Sequence, residues 1–500
     1  MRIKTGTSLL LAILLAVSLG GWLAARQIGG AAGFPLDDAW IHQTYARSLA
    51  SGGGWSFIPG IPSAGATAPL WVVFLVPGYW FGIEPFTWIV VLAALQLFAL
   101  GILGAAGWRL MGLENGRWAA AVGGVLILEW HLVWGALSGM ETLLVGLLSL
   151  AVFVWLLFLS QKKDGGYWSW FGLGILIGIG VWVRPETVSL MGPVGMTALL
   201  QPGEKPLNRT KYLTAAGVGF LIVFGGYLLF NHWLAGSWWP NTFYAKQAEY
   251  AELKRIPFLS RLFTQFSPLL AGVLASLLPG VAVNLFNSIT KRQWTELSGG
   301  LWAIGHVVLF AWRLPVIYQH GRYVIPALPI LLLLGFSGYK QVIDTIKSDR
   351  AKWLVGRAWG GAIVVFLILF WLLGMQSYLE DVAIIDGEMV QTAHWIEDNT
   401  TEDSLIAAHD IGAIGYFAQR PILDLAGLVS PDVIPFIRDE SQLAAYLDEI
   451  CPQYLVTFPD WYEQLPEMGR IVFQTDTSIT LELGGTNMTV YRWIGEEHCP

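Results

Sequence analysis

Five hundred residues that are 55% hydrophobic and only 13% charged, with a mean hydropathy of +0.55, exclude an ordinary water-soluble protein of this length. Charge is unevenly divided: residues 380–500 hold 22 of the 36 acids and 4 of the 29 cations, a net −18, and the first 379 residues stand at +11. That division predicts a polytopic membrane part over 1–378 and an acidic, water-soluble part over 379–500, with no strongly basic surface for nucleic acid.

In chain order, Arg2 and Lys4 precede an apolar run from Thr7 to Leu23. It is long enough for a first span, and Leu23-Ala24-Ala25 also permits a cleaved signal peptide. Pro35-Leu36-Asp37-Asp38-Ala39-Trp40-Ile41-His42 follows. Its aspartates open the helix-compatible stretch LDDAWIHQTYARSL, where one carboxylate would suit the positive helix end. Capping needs only one, however, and two adjacent carboxylates repel and raise one pKa, as a general base requires. SGGGWSF and GIPSAGATAP then read as loop sequence fit for a lid or a close backbone approach.

Apolar runs continue at 85–107, 118–136, 142–160, 167–183, 187–200, 213–234, 267–289, 297–312, 323–338 and 359–378, with one more at 68–83. If 68–83 lies along the interface or re-enters, the inside loops carry 16 cations against 9 outside; if it spans, the excess inverts. The sequence therefore predicts about 11 spans, a cytoplasmic N-terminus and an extracytoplasmic tail. The outer face then holds Arg26, Arg47, Arg184, Lys246, Lys254, Arg255, Arg261, Arg313 and Arg322 on the side of Asp37 and Asp38.

Four short stretches on that face carry chemistry. Beside the aspartates, Ser138-Gly139-Met140-Glu141-Thr142 sets one acid between apolar runs, solvated at the interface or part of a site. Arg184-Pro185-Glu186 is a structural ion pair or a ligand site at the membrane edge. Pro240-Asn241-Thr242-Phe243-Tyr244-Ala245-Lys246 and Tyr318-Gln319-His320-Gly321-Arg322-Tyr323 each mix a cation with tyrosine at headgroup depth. They suit an aromatic belt or, through Lys and the Arg fork, a phosphate held at the membrane surface.

This pattern resembles the GT-C glycosyltransferases, which move a sugar from a polyprenyl-phosphate carrier to an acceptor on the exported side. DDAWIHQTYARSLASGGGWSF with PNTFYAK and HGRY is most similar to the bacterial branch of terminal arabinofuranosyltransferases, over most of 1–378. The resemblance implies an integral protein of the plasma membrane, serving a cell-envelope glycan, lipid or protein acceptor. It implies Asp37 and Asp38 as catalytic, with His42, Glu141, Arg184, Glu186, Asn241, Tyr244, Lys246, His320, Arg322 and Tyr323 as substrate-binding. Asp37 is the first choice of base for the acceptor hydroxyl, in an inverting displacement. Lys246, His320 and Arg322 would offset charge on the leaving phosphate, and Asp38 would orient the acceptor or a divalent cation. No phosphate-cradling glycine loop or spaced metal cluster is evident in the sequence, and the resemblance requires neither nucleotide nor metal.

The tail reads as α/β. A helix is expected over Met389–Asn399, and strands over Ser404–Asp410 and Pro421–Leu425, flanking IGAIGYFAQR. Further strands are expected over Tyr454–Phe458, Arg470–Gln474, Ser478–Leu483 and Met488–Trp493. DIGAIG lacks dinucleotide spacing and reads as a turn. His409, Asp410 and Asp424 line a glycan groove or are packed or solvated. Cys451 and Cys499 could pair in an oxidising compartment. Two rival functions stay open, a lipid-linked sugar transporter and a membrane anchor displaying a glycan-binding tail.

Overall fold

The computed structural model describes residues 5–113, 116–162, 166–201 and 205–493. Arg2, Lys4 and Lys163 of the charge count, and Cys499 of the disulfide reading, lie outside them. The chain is a membrane protein: six described helices are long and apolar enough to cross a bilayer, or eight if each of two bent helix pairs is one span. That is fewer than the eleven runs suggest. The run at 187–200 becomes a 3-10 turn, Pro185–Leu190, and a ten-residue helix, Met191–Leu200. At 1.5 Å per residue the helix is about 15 Å long, half of a ~30 Å hydrocarbon core. The run at 118–136 is bent by 50° at Glu129, and that at 267–289 by 114° between Phe258–Leu270 and Leu274–Thr290.

Helix α1 (Thr5–Gly29) packs into the bundle, where Ser18 Oγ donates to the Ile127 carbonyl at 3.2 Å. Helix α2 (Asp37–Ala50) and helix α3 (Pro69–Trp80) follow, with a small hairpin, β1 (Ser56–Ile58) and β2 (Ile61–Pro62), between them. At twelve residues, about 18 Å, α3 is too short to cross. It is held on α2 by the Tyr79 hydroxyl donating to Gln43 Oε1 at 2.7 Å and fixed at its start by Trp71 Nε1 donating to the Gly139 carbonyl at 2.8 Å. Small residues bring later helices into backbone contact: a Cβ at Gly338 would strike the Gly280 carbonyl, so Leu274–Thr290 and Leu328–Thr345 pack without a side chain between them.

The helix starting at Asp349 runs through Ile385, widens into one π turn at Asp386–Val390 and continues as Gln391–Asn399. A boundary at 378 therefore falls inside a continuous rod. The buried Glu388 carboxylate in the widened turn accepts from Thr475, Thr480, Asn487 and the Met488 amide, fixing the rod to the tail. The tail sheet has five strands, β3 (Ile406–Ala408), β4 (Ile422–Asp424), β5 (Tyr454–Thr457), β6 (Gly469–Gln474) and β7 (Thr489–Trp493), in the order β4-β3-β5-β7-β6. The pairs β3–β4 and β3–β5 are parallel; β5–β7 and β6–β7 are antiparallel. Ser478–Glu482, expected as a strand, is a helix instead. Thr480 is drawn onto Glu388, leaving Leu481 and Leu483 exposed, so the alternation in the sequence has no sheet face to satisfy.

Candidate active site

The two aspartates point to different places. Asp37 is buried, and its Oδ2 and Oδ1 accept from the backbone N–H groups of Gly412 and Ala413 at 2.7 and 2.8 Å. It does not cap its own helix, whose N-cap position is Leu36 with no side-chain bond. It caps the short helical turn of the tail that DIGAIG forms. Burial and the charge of Asp410 push its carboxyl up to about 8, against those two N–H groups. Asp38 turns the other way, its side chain 30% exposed, and meets Arg322 Nη2 at 2.6 Å and Lys246 Nζ at 3.6 Å. Burial alone would raise its pKa, but these two cations hold it well below the usual carboxylate range.

Lys246 is delivered by the helix Asn241–Glu249, whose start is fastened to the loop after β2. Thr242 Oγ1 donates to the Gly65 carbonyl at 2.6 Å, and Asn241 N to the Ala64 carbonyl at 3.1 Å. Arg322 is delivered by a sharp reversal in which Gln319, His320 and Gly321 all take positive φ, a costly conformation for the first two. Its Nη2 also donates to the Tyr323 hydroxyl at 3.2 Å, as Lys246 Nζ does at 3.1 Å. Nε and Nη1 of Arg322 are buried and have no hydrogen-bond partner. Arg184, with its guanidinium 5.0 Å from the centre of the Tyr323 ring, is held by Glu141 at 3.0 Å and Glu186 at 2.5 Å. Glu141 also lies 3.6 Å from His42 Nε2. Burial pushes the His42 imidazole down despite that glutamate.

Eight of the expected residues thus line one cavity of about 410 Å³: Asp38, His42, Glu141, Arg184, Glu186, Lys246, Arg322 and Tyr323. A second cavity of about 860 Å³ lies between the membrane part and the tail, and Asp38, Ile41, Lys246, Arg322, Tyr323 and Leu428 form the wall common to both. Asp37 lines the second only.

Three expected residues stand elsewhere. Asn241 is buried and serves the loop contact above. Tyr244 is exposed, edge-on to Phe243. His320, expected against the carrier phosphate, is turned away by the left-handed reversal and pairs with Asp381 at 2.8 Å between Trp130 and Trp134. Asp424 lines no groove; its buried carboxylate accepts from the Ala426 and Val429 amides. Sequence reasoning missed Gln247, to which Arg313 donates at 2.8 Å, and the apolar wall of Trp239 and Phe243. It also missed Glu249 and Tyr250, which lie one helical turn beyond Lys246, a spacing readable in the sequence. Among the described residues, no three His, Cys, Asp or Glu side chains gather to hold a metal ion.

Residues 377–491 match a family described as a domain of unknown function (DUF8728). No curated protein matches the sequence. Solved structures match nearly the whole chain. ArnT from Cupriavidus metallidurans bound to undecaprenyl phosphate is similar over 96% of this chain and 97% of its own, at 15% identity and a TM-score of 0.60. The Archaeoglobus fulgidus oligosaccharyltransferase tethered with an acceptor peptide is similar over 91% and 69%, at 10% identity and a TM-score of 0.57. The arabinofuranosyltransferase AftD from Mycobacteria is similar over 98% of this chain but 42% of its own, at 15% identity and a TM-score of 0.53. These neighbours are GT-C glycosyltransferases, and at such identities the likeness is one of fold.

Proposed function

We propose that the protein is a membrane glycosyltransferase that moves a sugar from a polyprenyl-phosphate carrier to an acceptor of the cell envelope, on the extracytoplasmic side. The observation that carries this reading is the meeting of Arg322 and Lys246 on the wall of the smaller cavity, both paired with Asp38 and both donating to the Tyr323 hydroxyl. Two cations converging on one apolar-walled cavity suit a phosphate, which takes charge-assisted hydrogen bonds from Arg and Lys. The fold neighbour solved with undecaprenyl phosphate supports a lipid-phosphate donor.

In this reading the carrier lies in the smaller cavity, its phosphate against Arg322 and Lys246 and its first isoprenoid units along Trp239 and Phe243. The base is Asp38, because both oxygens of Asp37 are occupied by backbone amides. The donor phosphate competes for the two cations that suppress Asp38, so donor binding raises the basicity of the carboxylate that needs it. An acceptor hydroxyl entering from the larger cavity loses its proton to Asp38 and attacks the anomeric carbon. The bond from that carbon to the phosphate oxygen breaks with inversion, and the leaving oxygen keeps the electron pair under the Arg322 and Lys246 charges. Arg184 is tied to two glutamates and places its guanidinium 5.0 Å from the centre of the Tyr323 ring.

The test is purified protein with a panel of synthetic polyprenyl-phosphate sugars, reading melting temperature and release of free polyprenyl phosphate. Stabilisation with acceptor-dependent release is expected. Stabilisation without release under every acceptor would favour a lipid-sugar transporter, and neither effect with any donor would overturn both.

A further inference from the structure

The larger cavity has walls from both parts of the protein and a composition of its own. Seven carboxylates face it against three Lys or Arg side chains and His409. Two of those cations, Lys246 and Arg322, belong to the reacting end with Asp38. Asp37 is occupied by the Gly412 and Ala413 amides, Asp381 by Trp134 and His320, Glu252 by Arg255, and Asp460 by the Thr486 hydroxyl. Glu249 and Asp410 remain, sharing the imidazole of His409, with Nε2 at 3.4 Å from Glu249 and Nδ1 at 3.8 Å from Asp410. Trp461 stands edge to face with that imidazole at 4.9 Å between ring centres, backed by Phe458 at 5.0 Å. It is 45% exposed, a large indole left uncovered on the cavity wall.

We propose that this chamber holds the acceptor, that the acceptor is an uncharged glycan, and that its sugar ring stacks on Trp461 while Glu249 and Asp410 accept hydrogen bonds from its hydroxyls. The inference rests on the glycosyl-transfer reading and gives the tail its part in it. A sugar ring offers hydroxyl donors along its rim and C–H groups on its faces, matching carboxylate oxygens, which accept, and an indole, whose face is negative. A phosphorylated acceptor would meet the carboxylates as like charge. A cationic peptide would meet carboxylates whose charge is partly offset, because burial lowers the His409 pKa less than Tyr462, Asp410 and Glu249 raise it, and the imidazolium stands between the two acids.

The test uses the full chain in lipid nanodiscs with three sets of probes: neutral trisaccharides, the same sugars as phosphate monoesters, and a hexalysine peptide. Saturation-transfer NMR reads their binding, and the melting shift with undecaprenyl phosphate reads donor binding in the same sample. Neutral sugars should saturate most strongly in the wild type. Trp461→Ala should weaken them about tenfold, the scale of one lost aromatic contact, and Trp461→Phe should restore part of the loss, with the donor shift unchanged in both. The donor shift also shows that each variant is folded. Neutral-sugar binding indifferent to Trp461→Ala, or stronger binding of the phosphate esters or the peptide, would overturn the proposal. A chamber that binds neutral sugars while no donor in the transfer assay releases lipid phosphate would overturn its role as an acceptor site and the transfer reading together.

Discussion

Arg322 joins the loop before the last-but-one long helix to the first helix after α1, donating from Nη2 to Oδ2 of Asp38 at 2.6 Å across 284 residues. The bond uses one nitrogen of a planar charged group. Arg322→Lys keeps the charge and loses the planar set of donors. Transfer should fall by about 10²-fold, the cost of one donor to a developing oxyanion, with a smaller melting shift on donor binding. Equal donor shifts in wild type and variant would mean that the guanidinium meets no phosphate.

The different surroundings of the two aspartates predict unequal mutants. Asp38→Asn should lower acceptor-dependent release by at least about 10²-fold, as loss of a general base does. Asp37→Asn should harm release less and stability more, because an amide NH₂ would face one of the two backbone N–H donors. Release rates at matched expression check the order, and a greater catalytic loss at position 37 would return the base to Asp37.

His320→Gln separates the reversal at 319–321 from the phosphate site. His320 belongs to Asp381 and the tryptophans, so removing it should cost about 1 kcal/mol of stability, the worth of one hydrogen bond, and leave the donor melting shift intact. Loss of that shift in a protein of otherwise normal melting would place His320 at the phosphate after all.

Asp37 also predicts a pH dependence. Its folded pKa, about 8, lies above the ordinary 3.8, so the folded state binds more protons between those values and stability falls as pH rises through them. The contribution is complete below about pH 4 and gone above about pH 8. The melting temperature of the wild type minus that of Asp37→Asn should therefore decline over this window. A flat difference would show that the two N–H donors offset burial and Asp410.

Orientation is testable by labelling single introduced cysteines from outside intact cells. Glu482→Cys in the exposed helix of the tail should react and Lys162→Cys in a basic loop should not, with the unmodified chain as the blank. The opposite pattern would invert the topology and move the acceptor to the cytoplasmic side.

The sequence showed where the charged groups between the apolar runs lie, because a greasy chain leaves few places for them. Asp38, Glu141, Arg184, Lys246 and Arg322 come from separate loops and meet in one cavity, and each stood out as a charge beside a span. What could not be read was which way neighbours point. Asp37 and Asp38 differ by one residue, and only the distant Gly412 and Ala413 amides decide which carboxylate is taken. His320 and Arg322 differ by two, and three positive φ angles send them to opposite partners. The tail strands were legible from alternation except at Ser478–Glu482, where the deciding partner, Glu388, lies about ninety residues upstream.

The amide pair at Gly412 and Ala413 has a consequence for exchanging parts between proteins. A side chain at 412 would run into the Asp37 backbone and carboxylate, so that position accepts only glycine while α2 starts where it does. A tail grafted from another chain would have to bring a helical turn with a glycine at its first position to the same spot, or leave a buried acid with nothing to hold. Hybrids joined in the long rod at 349–399 would thus succeed or fail at a contact whose other half, Asp37, lies near the far end of the chain from the splice, and sheet similarity would be a poor guide to which donors of a tail are compatible.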